Sequence, residues 1–291
     1  MKKRQLIVAG SILLIIAGWV VFAFVSSLSE YTLARQLVAA VGLACVAAAM
    51  YLLVRHSPVS AMIVGLVTSL AALANIALWV VFTSHGNGDR VQTLLSFLLE
   101  TGLMVLVQLP SGVLIAVGGL LAASRFGARF GARSGSRSTS TRRLAIAAAI
   151  ATPLVTLLGV VLIVLASATV VYEAQIEIYP APPSTSNTNE YLPILLTFLA
   201  GVAFTFVGIL TRLAPVGGIL SGALLLAVGI AGLFGLGESW LGQGASRTVE
   251  QEAFGGFVLY GPIAFVGAAI LAVGLAWRHR SARVAAAAPG V

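Results

Sequence analysis

The sequence predicts an all-α protein: a polytopic transmembrane bundle of about eight helical spans, read as two parallel four-helix halves. Three observations carry this. Hydrophobic residues make up 59% of the 291-residue chain and charged residues only 9%, where a soluble domain has roughly 25% charged residues with which to cover itself. Apolar runs long enough to cross about 30 Å of hydrocarbon recur along the whole length. The charges between those runs sort by sign.

The runs fall at 6–28, 31–54, 58–83, 94–123, 144–171, 191–211, 214–236 and 254–277. Inside lipid each backbone N–H and C=O needs a partner within its own segment, so each run is expected to be helical despite its valine and isoleucine. Strands of a membrane barrel would alternate polar and apolar residues, and these runs do not.

The first run follows Met1-Lys2-Lys3-Arg4. It resembles a signal peptide, but it is longer than the usual apolar region of roughly 7–15 residues and no A-x-A site follows. An uncleaved first span is expected. The second run opens at Glu30-Tyr31, carries Arg35 about one turn in, and ends at Arg55-His56-Ser57-Pro58-Val59. The third contains Asn75. The fourth contains Glu100, Gln108 and Pro110, and is too long for one upright helix; a kink at Pro110 is expected. Residues 124–143 then form a basic linker in which Arg125, Arg129, Arg133 and Arg137 recur every four residues. Its glycines and its S-R-S-T-S-T run oppose a stable helix, so it reads as a flexible polybasic segment lying against lipid.

The second half covers 144–280. Its second run opens at Glu190-Tyr191 and ends at Arg212-Leu213-Ala214-Pro215-Val216. The next run is glycine-rich, with Gly218-x-x-x-Gly222, a pattern that lets helices approach closely. The last carries Glu252 and, ten residues on, Pro262, as the fourth carries Glu100 and Pro110. Residues 281–291 are expected to be a disordered tail.

The matched order of Glu-Tyr, Arg-x-x-Pro-Val and Glu…Pro predicts a tandem 4+4 duplication. With four spans each, the halves share one orientation, as in parallel repeats. Arg55, Pro58, Arg212, Pro215 and Glu252 carry this reading.

Placing Met1 in the cytoplasm puts 14 of the 17 Lys+Arg on the inner side, leaving Arg35, Arg90 and Arg247 outside. This is the positive-inside bias. All nine Asp+Glu fall on or near the outer side. The expected location is therefore a bacterial plasma membrane, with both termini cytoplasmic. The net charge of +8 then reflects contact with anionic lipids of the inner leaflet, not nucleic acid.

Chemistry is sparse. The one cysteine, Cys45, lies in an apolar run, so no internal disulfide and no Cys/His metal site is expected. No histidine pair is placed to hold haem, and there is no H-E-x-x-H, G-x-S-x-G or Walker A. No cofactor and no enzymatic activity are expected. Ionisable and amide side chains within spans are costly and are the candidates for function. Arg35 and Glu100 lie near the outer boundary, where they could pair; Asn75 and Gln108 lie deeper and could line a polar path or bond between helices. These residues point to a small-solute transporter or permease with a site between the halves. The alternative is a non-catalytic membrane subunit, working with a membrane-protein partner or as a homo-oligomer.

Overall fold

A computed structural model describes residues 2–26, 33–84, 111–124, 139–178, 191–233 and 262–287. Among these the chain is helical throughout. Eight helices follow in order: α1 (Lys2–Ser26), α2 (Leu33–His56), α3 (Pro58–Ser84), α4 (Ser111–Ala122), α5 (Thr139–Ile178), α6 (Leu192–Leu213), α7 (Pro215–Leu233) and α8 (Pro262–Ala287). Six contain described stretches long and apolar enough to cross a membrane; in α1 and α4 the comparable stretches, Gln5–Gly18 and Gly112–Ala122, are shorter.

Two boundaries differ from the sequence reading. Helix α5 begins at Thr139, inside the basic linker expected to be irregular, and α8 runs to Ala287, inside the tail expected to be disordered. Both extensions have a local cause. Arg142-Arg143-Leu144 and Arg283-Val284-Ala285 continue established helices with residues that mostly favour helix, and propagating a helix is far easier than nucleating one.

The outside of the bundle is apolar. Leu70, Leu154, Leu220 and Leu224 are each about two-thirds exposed, the reverse of a soluble fold and the arrangement a lipid solvent selects. The interior is formed by α4 and α8. Every residue from Gly112 to Ser124 and from Pro262 to Ile270 is buried, and 78% of the α8 span is buried, against 22% of the α3 span.

The helices pair in the same order on both sides of the linker. Helix α1 packs on α2 and α3 on α4; α5 packs on α6 and α7 on α8. The pairs then cross over: α4 lies against α6, α8 lies against α2, and α4 and α8 touch each other.

Small residues decide how close these helices come. A Cβ on Gly65 of α3 would press into the backbone of Gly118, Leu121 and Ala122 of α4. A Cβ on Gly222 of α7 would press into the backbone of Gly267 and Leu271 of α8. The two seams match position by position: Gly65 and Ser69 meet Gly118 as Gly222 and Leu226 meet Gly267. Lipid is as apolar as leucine, so such seams are held by van der Waals contact and by close backbone approach.

The turns between α2 and α3 and between α6 and α7 also correspond. In each, the turn residue donates its amide to a leucine carbonyl four residues back: Ser57 to Leu53 at 2.8 Å and Ala214 to Leu210 at 2.8 Å. Pro58 and Pro215 then start the next helix, where a missing N–H costs nothing. Ser57 adds a side-chain cap, its hydroxyl accepting from the Ser60 amide at 3.4 Å. The end of α4 is tied to this turn by Ser124 Oγ, which donates to the Pro58 carbonyl at 2.7 Å.

Candidate functional site

A cluster of aromatic and cationic side chains lies around the C-terminal part of α8, at Trp277, His279 and Arg280. Helices α2 and α6 both finish there, and each delivers an arginine to α8 from its own side.

On the α2 side, Arg55 Nη1 donates to Tyr51 Oη at 2.6 Å, one turn back on the same helix. The Tyr51 hydroxyl lies 3.3 Å from His279 Nδ1. That nitrogen is also 3.0 Å from the Leu275 carbonyl. A carbonyl only accepts, so the Leu275 contact is a hydrogen bond in the tautomer that carries the proton on Nδ1. The two rings meet edge to face, 5.9 Å apart at 88°.

On the α6 side, Arg212 and Arg280 share one aromatic ring. The Arg212 guanidinium carbon is 4.5 Å from the centroid of Trp277, and that of Arg280 is 5.4 Å from it. Cation–π contact contributes from about 0.5 kcal/mol at exposed sites to about 2 kcal/mol where water is excluded. Trp277 is buried, at 6% exposure. Helix position accounts for the grouping: Trp277 and Arg280 are three residues apart and share a face, and α6 ends against that face. Cations at the last turn also complement the negative end of a helix dipole.

The hydrogen bonding of these arginines is incomplete. Arg55 Nε, Arg212 Nη1 and Arg280 Nη1 are buried and find no partner among the described residues.

The sequence candidates fare unequally. Arg55 and Arg212 are placed on either side of α8, and Pro58 and Pro215 occupy equivalent turns. Asn75 is half-buried in α3, on the face that also carries the buried Ala72 and Ile76. Arg35 lies in the first turn of α2. Glu100, Gln108, Glu252, Arg125, Arg129, Arg133 and Arg137 lie outside the described residues. Sequence reasoning missed Tyr51, Trp277, His279 and Arg280. The available signal was an aromatic residue beside basic ones at the end of a span, an interfacial pattern.

Beside this end, Gln5, Val8, Ala9 and Ile12 of α1 and Ser57 and Ser60 line an open groove of about 310 Å³. No cluster of three or more His, Cys, Asp or Glu able to hold a metal occurs among the described residues.

Apolar surface, spanning lengths and a cationic aromatic rim together define the class: the chain is a multi-pass integral membrane protein. No protein-family model, curated protein or solved structure matches it.

Proposed function

We propose that this protein is a small-solute permease of a bacterial plasma membrane, built from two duplicated four-helix halves of like orientation, with both termini cytoplasmic. The observation that carries the reading is the pairing of the helices. Exchanging α1–α4 for α5–α8 turns α1·α2 into α5·α6, α3·α4 into α7·α8, and α4·α6 into α8·α2. Two like halves then meet along α4 and α8 about an axis normal to the membrane, the kind of interface at which transporters place their substrate sites.

The contact between α4 and α8 is apolar on both sides, from Val113 to Leu121 and from Ile263 to Ile270 apart from the glycines. In a permease it serves as the closed side. The solute path then depends on the polar groups assigned from sequence: Arg35, Asn75, Glu100 and Gln108. The test is flux of charged and neutral solutes into proteoliposomes holding the wild type, Arg35→Gln or Glu100→Gln. The permease reading expects protein-dependent flux that at least one substitution lowers by about tenfold, corresponding to ~1.4 kcal/mol on the rate-limiting barrier. Flux equal in all three removes both residues from the mechanism.

A second reading is a non-catalytic membrane subunit that scaffolds a partner complex. The same apolar, glycine-tight interior favours it, because a bundle packed in this way can hold a partner without opening. Flux absent across a solute panel, together with a stoichiometric second protein on extraction in mild detergent, would establish this reading over the first.

A further inference from the structure

We propose that Arg212 and Arg280, arranged about Trp277, form a binding site for a phosphate group at the basic end of the bundle. Two guanidiniums held against one ring repel each other. Each keeps a buried N–H without an acceptor. A buried donor on a charged group is costly to leave unpaired, and an oxyanion accepting from these N–H groups supplies the missing bonds and offsets the repulsion.

The chemistry favours phosphate over a simple halide. A phosphate oxygen set accepts from two planar guanidinium forks at once, with the geometry for which arginine is suited. The depth also fits. Trp277 and Tyr51 lie near the ends of spans, where indole and phenol rings sit at headgroup level, and lipid phosphates occupy that level. The group therefore arrives either on an anionic lipid or on a water-soluble phosphate compound. Arg55 stands on the opposite flank of α8, engaged with Tyr51, and is not part of the site. Arg278 lies on the same helix, is exposed, and has no contact with Trp277 among those described.

The experiment uses the full chain purified in a neutral detergent. Its melting temperature is measured against inorganic phosphate, with chloride at matched ionic strength as reference, and separately against phosphatidylglycerol, with phosphatidylcholine as reference. Wild type and Arg278→Gln are expected to be stabilised by at least one phosphate probe beyond its reference. Arg212→Gln/Arg280→Gln is expected to lose that shift. Stabilisation by phosphatidylglycerol alone assigns the site to lipid; stabilisation by inorganic phosphate assigns it to a soluble compound. Three results overturn the proposal: no specific shift in wild type, an equal shift in the double variant, or an equal loss in Arg278→Gln. If the double variant does not fold, Arg280→Gln is examined by native mass spectrometry. Loss of one bound phosphate or phospholipid supports the site, and unchanged occupancy overturns it.

Discussion

Glycine at a few positions fixes how closely this bundle packs. At Gly222 an added methyl group meets the backbone of α8, and backbone cannot rotate away as a side chain can. Gly222→Ala is expected to destabilise the protein by about 1–3 kcal/mol, the usual cost of overpacking. Gly10, in α1, has nothing within 4 Å of the corresponding point, so Gly10→Ala should be neutral or stabilise by up to about 1 kcal/mol through helix propensity. Reversible unfolding in mixed micelles measures both. An equal response at the two sites would show that the α7–α8 seam is looser than described. Trp277→Leu keeps an apolar side chain but removes the ring under two cations. It is expected to cost about 1 kcal/mol or more in the same assay, and a neutral outcome would mean the arginines do not depend on the indole.

Helix α5 contains the one proline set within a described helix, Pro153. Proline has no N–H for the carbonyl four residues back, that of Ala149. The chain does not leave this oxygen idle. It faces Gly217 of α7, where a Cβ would sit 2.9 Å from it, so a Cα hydrogen of the glycine points at the oxygen, a weak but favourable contact. The neighbouring Thr152 bonds instead to Ala148, its hydroxyl donating to that carbonyl at 2.6 Å. Pro153→Ala should therefore raise stability by clearly less than the ~3 kcal/mol separating proline from alanine in an unassisted helix. A gain of the full amount in the unfolding assay would show that α7 contributes nothing to satisfying Ala149.

At the scale of elements, spans were legible because length and apolar content are what a bilayer selects. Helix ends were legible where proline marked them, as at Pro58, Pro215 and Pro262, each of which begins a helix. The ends at Thr139 and Ala287 were not, because composition counted glycine, serine and alanine without weighing the helix already running beside them. At the site, the matching Arg-x-x-Pro turns pointed to Arg55 and Arg212. The partners Trp277 and Arg280 were hidden, since no rule of spacing within one helix tells which neighbour ends against its last turn.

For the whole molecule, the central question is whether the halves run parallel across a membrane. Val59 and Val216 are equivalent positions just past the two proline turns, 44% and 58% exposed. The native Cys45 is replaced by alanine, a single cysteine is placed at either site, and each is treated with a membrane-impermeant thiol reagent in right-side-out spheroplasts and in inside-out vesicles. The parallel arrangement with a cytoplasmic basic end predicts that both sites are protected in spheroplasts and both react in inside-out vesicles. Reaction of Val59→Cys and Val216→Cys from opposite sides would contradict the two-half architecture, and reaction of both in spheroplasts would invert its orientation.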